Sequence, residues 1–167
     1  MKWIKGISKT SFDLIEKDKT TLQMTFNYDQ KGNPVICKGS GFNFSIIREG
    51  FWKSNLLIKE NEQLIGRTYT EKWFSNYSIL EIKGQQIKYK YRNNSMAELA
   101  FFVKNEANVM LTCGLKSDND KKVVVELNVS QGFEQNPLKY YILSICWYIF
   151  CPIAQENTID YLLLMAQ

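Results

Sequence analysis

From Tyr140 to Ala154 the chain carries no charge, and the run YYILSICWYIFCPIA leaves no polar stripe at any helical phase. A helix that is apolar on every side has to be enclosed on every side, by protein or by lipid. Asn136 is a good N-cap, and Pro137 then falls at the first helical position, where a missing N–H costs nothing. The spacing predicts a helix over Pro137–Cys151 that stops at Pro152, because the residue before a proline is pushed out of the α region. Those 15 residues rise about 22 Å, whereas a bilayer core is about 30 Å thick and needs about 20 residues. No cluster of Lys or Arg flanks the run on one side to set a topology. The expectation is a buried core helix without a transmembrane span, with a membrane-associated segment as the alternative. Inside it, Ser144 is expected to bond back to a carbonyl of its own helix, and Lys139 to reach the rim of the core.

Almost everything before this run reads as short alternating strands. Leu22, Met24, Phe26 and Tyr28 alternate with Thr21, Gln23, Thr25 and Asn27, the period of a half-buried strand. The turn-rich Asp29–Pro34 follows, then Val35–Lys38, and Gly39-Ser40-Gly41 is expected to bend or bulge the sheet before Phe42, Phe44 and Ile46 resume the alternation. Leu56–Lys59 and Gln63–Thr70 read as a hairpin about Asn61, and Ser78–Lys83 and Gln86–Arg92 as another about Gly84. Glu98–Lys104, Asn108–Leu115 and Lys121–Val129 complete the series, while Thr158–Gln167 is open to either a strand or a short helix. Short connections make an antiparallel meander the default. The expected fold is mainly β: one domain, 1–167, with about 10–12 strands closed as an antiparallel β-barrel around the hydrophobic C-terminal helix. A barrel of that size is wider than side chains alone can fill, and a helix would occupy the space.

Composition narrows the function more by what is missing. The chain has 167 residues and no histidine, which removes a Ser–His or Cys–His nucleophile pair, the commonest general base and the usual zinc sites. Its four cysteines, Cys37, Cys113, Cys146 and Cys151, show no CxxC spacing and read as reduced thiols of a reducing compartment. A net charge of +4 suits an anionic surface but falls short of the dense basic patch of a nucleic-acid binder. No secretory signal is read in MKWIKGISKTSF.

The segments LLIKENEQLIGRTYT, ILEIKGQQIKYKYR and NPLKYYILSICWYIFC, in that strand–strand–helix order, resemble the tubby C-terminal domain superfamily, which includes the LURP-one-related proteins and the phospholipid scramblases. The resemblance runs from about Phe42 to Ala154. It implies a non-enzymatic domain that contacts membrane lipid. The superfamily's C-terminal signature is absent, so no phosphoinositide site is carried over residue by residue.

One candidate site stands in the residues themselves. Lys88, Lys90 and Arg92 alternate with Ile87, Tyr89 and Tyr91, which puts three cations on the outer face of one strand and suits a lipid-binding contact with anionic headgroups. The ordinary reading of such a row is a solvated strand face. Asp118-Asn119-Asp120 begins like a calcium loop, but Lys122 at the fifth position and no glycine at the sixth reject an EF-hand. The carboxylate pairs Glu60/Glu62 and Glu156/Asp160 fall at turns and exposed ends, and Phe51, Trp52, Trp73 and Phe74 read as core or barrel-end plugs. The expectation is a non-enzymatic cytoplasmic domain, membrane-peripheral, that binds an anionic lipid surface or a protein partner. It needs no cofactor, metal or nucleic acid. The alternative is a carrier of a small hydrophobic ligand between sheet and helix.

Overall fold

The computed structural model describes residues 1–30, 33–49, 55–71, 75–92, 97–103, 108–117 and 123–157. The strands among them are β1 (Lys2–Lys5), β2 (Ser11–Glu16), β3 (Lys19–Phe26), β4 (Val35–Gly39), β5 (Phe42–Glu49), β6 (Asn55–Glu60), β7 (Gln63–Tyr69), β8 (Ser78–Ile82), β9 (Gln85–Arg92), β10 (Glu98–Val103), β11 (Val109–Ser117) and β12 (Val123–Val129). A short 3-10 turn, η1 (Phe133–Gln135), leads into one helix, α1 (Lys139–Asn157). The strands neighbour one another in sequence order, antiparallel wherever a register is defined, as a meander requires. The expected class is therefore met: mainly β, twelve antiparallel strands and a single apolar C-terminal helix. The chain divides into two compact units, Met1–Lys88 and Tyr89–Gln167, with the boundary inside β9.

The first unit is organised by rows of buried side chains that cross the strands in register. Phe26, Val35, Ile46, Ile58, Gly66 and Ile82 form one such row across the five consecutive pairings of β3 to β8, all on the face away from water. Phe12, Met24, Cys37 and Phe44 form a second. A period of two sends these residues to one side and Gln23, Lys38, Asn43 and Lys59 to the other. Thr68 is a polar residue in the buried layer. Its hydroxyl accepts the Leu56 N–H at 2.9 Å, so neither group is left bare.

Three hairpins of this unit turn on two residues with positive φ: Lys17-Asp18 (47° and 61°), Asn61-Glu62 (50° and 63°) and Lys83-Gly84 (44° and 78°). Such turns twist in the same sense as the strands they join, and they favour Asn-Gly. Gly39-Ser40-Gly41 behaves differently from the expected bend: Ser40-Gly41 is itself a hairpin turn between β4 and β5, with Gly41 at φ 85°. Glu62 carries a left-handed backbone that costs an L side chain about 1–2 kcal/mol, partly offset in a glycine by its larger unfolded-state entropy. Glu62→Gly is therefore expected to raise the melting temperature by about 2 °C. A fall would mean that the Glu62 side chain supports the turn.

In the second unit Leu99, Phe101, Leu111 and Cys113 of β10 and β11 build the buried layer, and Tyr89 stacks on Phe101 with ring centroids 5.2 Å apart. Helix α1 starts as its sequence dictates, with the Asn136 carboxamide oxygen accepting the Leu138 N–H at 2.8 Å. Tyr141 to Tyr148 are all buried without interruption. Eight consecutive residues make more than two turns, so every face of the helix is covered. Ser144 donates to the Tyr140 carbonyl at 2.8 Å, the expected back-bond. Lys139 does not reach outward as expected. It is buried, with its ammonium 5.2 Å from the centre of the Tyr140 ring.

The helix does not stop at Pro152; it runs through it to Asn157. Proline leaves the Tyr148 carbonyl without its helical donor, a cost of about 3 kcal/mol in a helix interior. Continuing the helix keeps Ala154 buried, and the Asn157 side-chain amide closes the end on the Ile153 carbonyl at 2.8 Å. Packing and a local cap thus override the stop signal. No helix among the described residues is long and apolar enough to cross a membrane.

Candidate functional site

Strand β9 alternates as its sequence requires. Ile87 is buried on one face, while Lys88, Lys90 and Arg92 occupy every second position on the other. The three cations end differently. The Lys88 ammonium lies 4.5 Å from the centre of the Tyr77 ring, and that of Lys90 5.7 Å from the Phe102 ring. Arg92 is paired with Glu98 at 2.9 Å. Among the described residues no carboxylate pairs with Lys88 or Lys90. A ring holds a cation in place without cancelling its charge, whereas Glu98 offsets that of Arg92. Both lysines are half-buried and Arg92 is exposed.

The opposite face of β9 carries a feature that the sequence did not single out. Tyr91 donates its hydroxyl to the Ile149 carbonyl of α1 at 3.3 Å, one residue beyond the carbonyl that Pro152 strips of its helical donor. The ring is 48% exposed, yet burial of the phenol pushes its pKa up to about 12, helped by the Cys146 and Cys113 thiols and by Tyr89. Cys146 of α1 and Cys113 of β11 are both fully buried and hydrogen-bonded to each other, and burial holds the Cys146 thiol far above its usual range. A thiol held protonated is a poor nucleophile, so Cys146 serves packing. The only sequence signal for the cluster was a phenol on a strand face that otherwise points inward.

A folded-state pKa above the unfolded value means stability that is fully present below about pH 10 and is lost as pH rises through about 12. The Tyr91 contribution is expected to be constant up to about pH 10 and to be lost above it, lowering the melting temperature there. Tyr91→Phe should flatten part of that loss. An identical alkaline profile for parent and variant would show that Tyr91 is not the group responsible.

Other candidates separate. Glu60 pairs with Lys83 at 3.0 Å, and Glu62 sits in the adjoining turn, so these carboxylates serve the hairpins rather than an acid–base pair. Glu156 is exposed near the helix end. Asp160, the stretch Thr158–Gln167, the Asp118-Asn119-Asp120 segment and Phe51, Trp52, Trp73 and Phe74 lie outside the described residues. Among the described residues no cluster of three metal-ligating side chains forms. A shallow depression of about 370 Å³ between the end of β12 and η1 is lined by Val129, Ser130, Gln131, Gly132, Glu134 and Gln135. No protein-family model, no curated protein and no solved structure matches the chain.

Proposed function

We propose that this chain is a non-enzymatic, tubby-like binding domain that docks from the cytoplasm on an anionic membrane surface through the outer face of β9. The observation that carries this is the pair Lys88 and Lys90: two cations on one strand face, steadied by aromatic rings and paired with no described carboxylate. Each cation near an anionic leaflet contributes about 1 kcal/mol. Arg92 adds less, because Glu98 already offsets it. The meander and its enclosed helix support the likeness to the tubby superfamily, and a chain without histidine supports a role other than catalysis.

The test is co-sedimentation with vesicles containing phosphatidylserine against vesicles of phosphatidylcholine alone. Binding is expected to the anionic vesicles, and to weaken as salt shortens the Debye length from about 8 Å at physiological strength to about 3 Å at 1 M. Lys88→Ser with Lys90→Ser removes about 2 kcal/mol, roughly a thirtyfold loss of affinity, with melting left near the parent value. Equal binding to both vesicle types, or no loss in the double variant, would leave β9 as an ordinary solvated face.

A further inference from the structure

The connection between β1 and β2 presents Ile7 wholly to water, at 102% exposure. A single exposed aliphatic residue is unremarkable on a surface. This one is unusual in how firmly it is displayed. The Gly6 N–H donates to the Ser11 carbonyl at 2.9 Å, and the Ser11 N–H to the Ser8 carbonyl at 3.1 Å. The buried Ser11 hydroxyl accepts the Ser8 N–H at 3.0 Å. Next to it the Phe26 N–H takes the Thr10 carbonyl, and the Lys5 ammonium takes the Lys9 carbonyl. The backbone on both sides of Ile7 is thus tied down while the side chain has nothing to cover it.

The same end of the β2–β3 pair carries a second exposed apolar group, Tyr28, at 55% exposure and stacked on Phe26 with centroids 5.9 Å apart. The charge around the tip is positive: Lys5 and Lys9 flank Ile7, and the nearest acid along the chain, Asp13, stands opposite Ile4 further down the β1–β2 pair. Asp29, after Tyr28, is the one acid of the neighbouring turn among the described residues. An aliphatic tip, an amphipathic tyrosine beside it and lysines behind is the chemistry of the headgroup–acyl boundary, where apolar groups enter and cations stay with phosphates.

We infer that the Gly6–Thr10 loop inserts Ile7 into the interfacial region of an anionic bilayer, with Lys5 and Lys9 at headgroup level and Tyr28 alongside. The inference shares its class of partner with the β9 reading and uses different residues. All four native cysteines are buried, so a cysteine placed on the surface can be labelled selectively. Ile7→Cys in the full chain, carrying an environment-sensitive dye, is expected to shift to the blue with phosphatidylserine-containing vesicles. Thr20→Cys, exposed at the far end of the same hairpin about 20 Å away, should not shift. Without a label, Ile7→Ser should lower vesicle partitioning about tenfold.

Repeating the dye measurement with Lys88→Ser and Lys90→Ser in the background separates the two surfaces. A shift that survives there supports the loop and counts against β9. Binding lost in that background, together with an unshifted dye in the otherwise unaltered Ile7→Cys chain, assigns docking to β9 and overturns the loop. Equal shifts at Ile7→Cys and Thr20→Cys, or unchanged partitioning of Ile7→Ser, also overturn it, as does an Ile7 tip that is masked by a protein partner and blind to vesicles.

Discussion

Ser144→Arg is expected to abolish cooperative folding, leaving no sigmoidal melt by circular dichroism. Ser144 is 0% exposed and lies in the middle of eight consecutive buried residues of α1. Its hydroxyl needs nothing from outside the helix, because it bonds to the Tyr140 carbonyl. Arginine there has no short route to water. An unpaired charge in a packed interior costs several kcal/mol, comparable with the whole 5–15 kcal/mol by which a domain is stable. Ser144→Ala removes only the local back-bond and should stay within about 1 kcal/mol of the parent. Lys90→Glu, on the outer face of β9, should also fold, losing little more than the contact with the Phe102 ring. A Ser144→Arg protein that melts like the parent would show that this side of α1 faces solvent, and the enclosed-helix fold would fail with it.

Gly66→Val is expected to destabilise the first unit by about 3 kcal/mol or more, and Gly66→Ala by about 1–3 kcal/mol. Gly66 stands in the buried row between Ile58 and Ile82. A Cβ there would lie 2.7 Å from the Glu81 carbonyl oxygen and 3.1 Å from the Cβ and Cγ1 of Ile82. The first of these is backbone of the paired strand, so the clash cannot be relieved by rotating a side chain. The Lys83 N–H bonded to the Ile65 carbonyl at 2.8 Å holds β7 against β8 at that point. Gly84 makes the comparison sharp: φ is 78° and nothing lies near, so Gly84→Ala should cost only the left-handed strain of about 1–2 kcal/mol. Urea midpoints for the variants decide it. An unchanged midpoint for Gly66→Val would mean that β7 and β8 do not approach as described.

Much of the fold was legible because it is specified locally. The strands β3 to β9 lie within a residue or two of where alternation placed them, and the Asn61 and Gly84 hairpins turn where expected. The Asn136 cap and the Ser144 back-bond were readable for the same reason, since both partners are within four residues of each other. The β9 cations were readable as a row, because period two is a property of the strand alone. Their states were not. That Arg92 is offset by Glu98 and that the two lysines rest on Tyr77 and Phe102 depends on which strands and loops lie beside β9.

The sequence by itself determined the binary pattern: which residues turn inward along each strand, where the chain reverses, and that the C-terminal helix has no face for water. Only the tertiary structure decided how those local commitments were reconciled. Pro152 is a valid stop signal for an isolated helix, but burying Ala154 and tying Tyr91 to the Ile149 carbonyl outweigh it. Gly39 and Gly66 look alike in sequence as strand glycines, yet Gly66 is demanded by the backbone of the next strand and Gly39 by the Phe42 ring and the Thr21 carbonyl. The physical reason is the range of the interactions. Hydrophobic periodicity, caps and turn chemistry act within a few residues, while steric fit and the partners of the Thr68 hydroxyl and the Tyr91 phenol are set by segments brought together from 12 and 58 residues apart.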